Sequence, residues 1–172
     1  IGALRHPSSW RHLWNPWRPS WGEPYVEIVE DSKEATKWTE IRKLIHTMEF
    51  QANPGRNVKC YVKDKKSGKI LGQICLGSDI YSLKDRDDKI GWNNETKKKS
   101  LRYLLNIKAC IPLQPIGFNF TAGKLLTMLA FSREVSQLFV QKIKAKNKPE
   151  YPILAICTTS LYGKSIQYDR LD

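Results

Sequence analysis

Apolar and polar positions alternate or recur along most of this chain, and they divide it into short elements. Pro24 to Glu30 (PYVEIVE) alternates and predicts a strand. Asp31 or Ser32 supplies the cap of a helix from Lys33 to about Phe50. Its apolar residues Ala35, Trp38, Ile41, Leu44, Ile45 and Met48 recur every three or four positions, the stripe of a helix that faces a core. Asn53, Pro54 and Gly55 mark a turn. Asn57–Asp64 (NVKCYVKD) and Ile70–Gly77 (ILGQICLG) flank the turn KKSGK and predict a hairpin whose second strand is the more buried. Ser78–Asn94 has no clear period and reads as a solvated loop carrying DRDDK and Ile90-Gly91-Trp92. Glu95–Tyr103 predicts a short helix or a strand lead-in.

The apolar run Leu101–Leu113 predicts a buried strand. A turn rich in Pro, Gly and Asn follows, from Gln114 to Gly123, and then a helical pattern from near Thr121 to about Ala145. Tyr151–Thr159 predicts another buried strand, and Ser160–Asp172 the start of a short helix. Strand, loop and helix in this order let a helix N-terminus face an anionic group; the same order also serves as a plain buried strand–turn–helix. The series predicts an α+β (α/β) domain, one mixed sheet flanked by helices.

Length and composition agree with one domain. The 172 residues are 41% hydrophobic and 27% charged, a globular balance. The division is an extended arm over 1–23 and a single domain over 24–172, which reads as cut short at its C-terminal end. The net charge of +12 changes the picture more, because it predicts attraction to polyanions, nucleic acid first. The four cysteines, Cys60, Cys75, Cys110 and Cys157, lie in apolar strand-like contexts without zinc-type spacing. Buried free thiols in a reducing, cytoplasmic compartment are expected; a virion or nucleoprotein assembly is the other setting considered. No apolar run reaches the ~20 residues of a membrane span, and no leader pattern is present. The start at Ile1 reads as that of a processed, trimmed or partial chain.

Basic residues gather in three places: the arm, the Lys97–Arg102 cluster and the tail KIKAKNK of the long helix, where lysines also suit the helix dipole. In the arm, Trp10, Trp14, Trp17 and Trp21 stand among Arg5, Arg11 and Arg18, while Pro7, Pro16 and Pro19 exclude a continuous helix. Tryptophan beside arginine suits base stacking and phosphate contact. It equally suits docking on a protein partner or on the domain itself, and less well a membrane surface. Farther on, Lys97, Lys98, Lys99 and Arg102 form a cluster suited to phosphate contacts, with a solvated basic face as the alternative. Asp85, Asp87 and Asp88 lack the further ligands and glycine of a calcium loop, so no metal is expected. Outside the arm the one histidine is His46, which excludes a Ser–His–Asp set. No cysteine has a sequence histidine or helix start beside it, so a cysteine nucleophile is not expected.

The order of elements resembles the fold of the GCN5-related N-acetyltransferases. In that family the fourth strand splays from the fifth, and the loop after the fourth holds the pyrophosphate of coenzyme A. The resemblance implies acetyl-CoA or a related acyl-CoA as cofactor, with Gln114, Gly117, Ala122 and Gly123 in the binding loop. Lys124, at the helix start, is a further candidate for phosphate contact. At the level of residues, Ile90-Gly91-Trp92, TKKKSLRYLLNIKACIPLQ, AGKLL and PILAICTTSLYGKSIQYDRL resemble the A-protein (DruA-like) family of the Druantia anti-phage systems. The matching positions are Ile90, Gly91, Trp92, Asn106, Pro112, Ala122, Leu125, Leu126, Gly163 and Tyr168, over a span from about Tyr25 to Asp172. More distantly, the chain is similar to the Mom DNA-modification family, whose acyltransferase-like fold alters adenine.

These resemblances imply candidate catalytic residues. Tyr168, with Tyr162 as rival, is placed to protonate a leaving thiolate, since an ordinary tyrosine pKa of about 10 keeps its proton at neutral pH. Asn106 is a candidate for catalysis or for holding a loop. The first functional expectation is a DNA- or RNA-associated protein with an acyltransferase-like domain, in phage or anti-phage biology. The alternatives are an active acyl-CoA-dependent transferase acting on a DNA base, and a non-enzymatic subunit of a nucleic-acid-containing assembly.

Overall fold

The two alternating segments around KKSGK pair as a hairpin, and the rest of the sheet grows outward from them. In the computed structural model the described residues are 23–46, 49, 55–113, 122–144, 151–159 and 167–168. Strands β1 (Pro24–Ile28), β2 (Asn57–Asp64), β3 (Ile70–Ser78), β4 (Leu104–Pro112) and β5 (Ala155–Cys157) form one sheet in the order β1-β2-β3-β4-β5. The first four strands are antiparallel to their neighbours, whereas β5 runs parallel to β4. The fold is therefore α+β with a mixed sheet flanked by helices, as the sequence predicts.

Each face of the sheet carries its own core. On one face Val58, Cys60, Val62, Leu71, Ile74, Leu76, Leu105, Ile107 and Cys110 meet helices α4 (Ala122–Phe131) and α5 (Arg133–Lys144) through Leu126, Ala130, Val135, Phe139 and Ile143. On the other, Tyr61, Cys75, Ala109 and Ile111 pack with Trp38 of helix α1 (Ser32–Ile45). Trp38 is fully buried, and its indole N–H donates to the Cys60 carbonyl at 3.0 Å, so its one polar group is satisfied. Gly72 is required where α4 crosses β3: a Cβ there would sit 2.1 Å from Leu126 Cδ2 and 2.9 Å from the Ile111 carbonyl oxygen.

A bulge divides β4. Leu76 pairs with Ile107 and Cys75 with Ala109, which leaves Lys108 as the extra residue. The inserted residue shifts the alternation by one, so Leu105, Ile107 and then Cys110 enter the same core.

Several expectations are corrected. Helix α1 ends at Ile45, capped through its Arg42 carbonyl by the His46 N–H, before the expected Phe50. The stretch 78–94 is not a plain loop: it holds helix α2 (Lys84–Ile90), closed by Gly91 at φ 75°. Helix α3 (Asn94–Ser100) and a 3₁₀ turn (Leu101–Tyr103) then lead into β4, so the apolar strand starts three residues later than the run itself. The long helix is two helices, because Ser132 caps the second by accepting from the Val135 N–H at 3.3 Å. The last strand spans 3 residues and is half-exposed rather than buried. Among the described residues, no helix is long and apolar enough to cross a membrane.

Candidate functional site

Three regions around β4 carry the chemistry. The first is the end of the β4–β5 pairing. Their parallel pairing covers Leu104–Asn106 against Ala155–Cys157 and then stops, while β4 continues to Pro112. Along the part of β4 left without β5, the Gln167 side-chain amide donates to the Cys110 carbonyl at 3.0 Å. Gly123, in the first turn of α4, lies beside that glutamine: a Cβ there would stand 3.6 Å from Gln167 Cγ. Tyr168 packs against the core of this face. Burial pushes its hydroxyl pKa up, the nearby Cys110 thiol pushes it further, and a hydrogen bond with Thr158 partly opposes them. Burial likewise pushes the Cys110 thiol up to about 11, against hydrogen bonds with Thr127 and Gln167. A tyrosine so placed holds its proton at neutral pH.

The second region is a buried ionic network at the start of β4. The Arg86 guanidinium donates to Asp79 Oδ2 at 2.7 Å and to Asp87 Oδ1 at 2.9 Å. The Lys97 ammonium donates to Asp87 Oδ2 at 2.9 Å. Asn106 donates its side-chain amide to Asp79 Oδ1 at 2.9 Å, and the Ile80 N–H reaches the same oxygen at 2.8 Å. Two carboxylates thus meet two cations, and nearly every lone pair is used, the condition under which buried charge is tolerated. Hydrogen bonding from Lys97 is the main cause of the lowered Asp87 pKa, with Arg86 adding to it against burial. Cys157 belongs here too: burial first, then Asp79, pushes its thiol up to about 11. Arg86 lies over the Trp92 ring at 5.6 Å and Lys97 over the Tyr81 ring at 5.1 Å, so both cations are walled by aromatics.

The third region is exposed. Arg102, in the 3₁₀ turn, lies over the rings of Tyr151 at 5.0 Å and Tyr103 at 5.9 Å. The two rings meet edge to face at 5.8 Å. Arg102 also donates to the Lys99 carbonyl at 2.8 Å and to the Tyr151 hydroxyl at 3.3 Å. Arg56 reaches the Arg102 carbonyl at 3.5 Å and donates its backbone N–H to the Ser78 hydroxyl at 3.2 Å. The Leu154 N–H donates to the Tyr103 carbonyl at 2.9 Å, which ties the approach to β5 to the approach to β4.

The predicted site residues therefore separate. Asn106 is buried on Asp79, a positioning role within the ionic network. Lys97 leaves the basic cluster: it is 8% exposed and bound to Asp87, because it occupies the inner face of α3. Lys98, Lys99 and Arg102 remain at the surface, and none of them pairs with a carboxylate among the described residues. Ala122 is the first residue of α4, followed by Gly123, which lies beside Gln167, and the half-buried Lys124. Gln114 and Gly117 lie outside the described residues, as do Arg5, Trp10, Arg11, Trp14, Trp17 and Arg18 of the arm. Asp79, Arg86, Tyr103 and Tyr151 had no signal in the sequence. Only Arg102-Tyr103 adjoin in the chain, and the tertiary fold supplies the rest.

These regions define an α+β domain whose mixed sheet ends in a short parallel strand pair, beside a basic and aromatic sheet end. The family model of Druantia protein DruA matches residues 18–172, and the chain belongs to the DruA family. It is 31% identical over 154 residues to Druantia protein DruA of Escherichia coli (strain UMEA 4076-1), an alignment that covers 86% of this chain and 38% of that protein. Over 45 residues it is 44% identical to Uncharacterized protein Rv0525 of Mycobacterium tuberculosis (strain ATCC 25618 / H37Rv), across 26% of this chain and 22% of that protein. The chain thus spans well under two thirds of either relative's length. No solved structure matches it.

Proposed function

We propose that this chain is a nucleic-acid-associated domain of an anti-phage defence protein, built on an acyltransferase-like scaffold. The observation that carries this reading is the distribution of unpaired charge. Lys98, Lys99 and Arg102 lie at the β4–β5 end without carboxylate partners among the described residues. Glu30, Asp31 and Glu34 line an open groove at the β1–α1 edge instead, with Glu27 beside them held by Lys63 at 2.7 Å. Strands lie about 4.8 Å apart, so the acidic edge stands roughly 20 Å from the basic one across the sheet. A phosphate backbone is attracted to one edge and repelled by the other. Lys142, in the last turn of α5, is tied to the Val29 carbonyl at 2.9 Å near the acidic edge. Binding of a labelled DNA duplex, followed by fluorescence anisotropy, should weaken with salt by about 0.9 logarithmic units per logarithmic unit of salt for each phosphate contact. A flat salt response, or no binding to DNA or RNA at low salt, overturns the reading.

A second reading is acyl-CoA-dependent transfer, favoured by the end of the parallel β4–β5 pairing at Asn106 and Cys157 while β4 runs on to Pro112. The first turn of α4, with Ala122, Gly123 and Lys124, offers backbone N–H groups and an ammonium, which fits an anionic cofactor. Such a cofactor would supply an activated acyl thioester. Tyr168, with its raised pKa, would hold the proton that a leaving thiolate requires. Coenzyme A thioesters should then raise the melting temperature; no shift at millimolar ligand sinks this reading.

A further inference from the structure

The basic end of the sheet differs from an ordinary patch of lysines in one respect: its arginine is already organised by aromatic rings. We propose that Arg102, Tyr103 and Tyr151 form a stacking platform for an unpaired nucleobase, so that the strand this domain holds is single-stranded. The inference rests on the nucleic-acid reading above and specifies the state of the nucleic acid.

Geometry supports it in three ways. The guanidinium of Arg102 is oriented by two hydrogen bonds, to the Lys99 carbonyl and the Tyr151 hydroxyl, so its plane is fixed before any ligand arrives. A fixed guanidinium plane and an adjoining ring stack on a base as readily as on each other. The two tyrosines are only half-buried, and they meet edge to face, which leaves them at right angles (86°) and offers a step rather than a flat wall. A duplex hides the faces of its bases within its own stack, whereas a single strand presents them. Finally, phosphate-binding charge flanks the rings: Lys98 and Lys99 on α3, and Arg56, which reaches the Arg102 carbonyl. Alternation of stacking face and cation is the arrangement that follows a single strand. In a purely structural cluster, a carboxylate would be expected to hold the arginine; here, among the described residues, a tyrosine hydroxyl and a carbonyl do so.

The test measures the full chain, by fluorescence anisotropy at fixed low salt, against three probes of equal length: an oligothymidine strand, a duplex, and a strand of abasic sites. The oligothymidine should bind tightest and the abasic strand markedly more weakly, although both carry the same phosphates. Tyr151→Ala should weaken oligothymidine binding about tenfold or more, in keeping with the loss of one stacked base, and should leave duplex and abasic binding unchanged. Tyr151→Trp should retain it, which separates stacking from any effect on folding. Equal affinity of the unaltered chain for oligothymidine and the abasic strand overturns the platform and leaves the nucleic-acid reading standing. So does an equal loss on all three probes with Tyr151→Ala in a chain that melts normally. Failure to bind any of the three overturns both.

Discussion

Lys97 and its neighbours Lys98 and Lys99 are identical in type, adjacent in sequence, and opposite in use. Lys97 points inward, where Asp87 and the Tyr81 ring take up its charge. Lys98 and Lys99 point outward beside Arg102. A helix turns once every 3.6 residues, so three consecutive side chains are spread over most of its circumference and cannot form one patch. The two regions they serve differ accordingly. In the ionic network each charge meets its opposite at 2.7–2.9 Å and faces little solvent. In the exposed region Arg102 meets two tyrosine rings and a carbonyl, and Lys98 and Lys99 face solvent. Buried and satisfied charge holds α2 and α3 onto the strand ends; exposed and unsatisfied charge is available to a partner. The sign of the charge is the same in both places, and the difference lies in what it touches.

The largest effect that would break this distinction is expected from Arg86→Leu. It leaves Asp79 buried without a cation, and loss of one partner from such a pair costs about 3–5 kcal/mol. Urea denaturation should show that loss. Arg86→Leu combined with Asp79→Leu should recover much of it, because the orphaned charge is gone. A loss below 1 kcal/mol in Arg86→Leu, on the order of an ordinary surface substitution, means the network is not what holds α2 in place. The next effect is on binding. Lys98→Gln with Lys99→Gln should lower the salt slope for duplex DNA by about 0.9 for each phosphate contact removed. Its stability should stay within about 0.5 kcal/mol of the parent. Lys97→Met should do the reverse, with a lower melting temperature and, in the folded fraction, an unchanged salt slope. If Lys97→Met changes the slope and the outer pair does not, the division between the two regions is wrong.

That division also explains what could be read from the residues alone. The hairpin, β4 and α1 up to its end at Ile45 were legible, because alternation and three-to-four spacing record which side of an element faces a core. Asn57–Asp64 and Leu104–Pro112 are such cases. Helix α2 was not legible, because KDRDDKI has no apolar face: its buried side consists of Arg86 and Asp87, polar letters that read as solvated. Lys97 was misplaced for the same reason. The break at Ser132 was hidden by apolar residues that continue across it, and only the hydroxyl on the Val135 N–H reveals the cap. Asn106 was singled out from the sequence, but its partner Asp79 lies 27 positions earlier and no local pattern joins them. The exposed platform was half visible: Arg102 stood out by its charge, whereas Tyr151 joins it across 49 positions of chain.

The smallest effect, and the sharpest comparison between the two regions, comes from acid. Asp87 titrates below the ordinary carboxylate value, chiefly because Lys97 donates to it. An unfolded aspartate titrates near about 3.9. A group whose folded pKa is depressed contributes stability that is fully present above its unfolded pKa and is lost as the pH falls through the folded one. Asp87→Asn should therefore be less stable than the parent at neutral pH, with the difference constant down to about pH 5 and shrinking below about pH 4. Denaturation midpoints measured along that series check it. The exposed cations meet no carboxylate among the described residues, so Lys98→Gln with Lys99→Gln should run parallel to the parent through the same range. If the Asp87→Asn difference persists undiminished in acid, the carboxylate contributes through shape and hydrogen bonding alone. The contrast between paired and unpaired lysines on α3 would then be one of burial, not of charge.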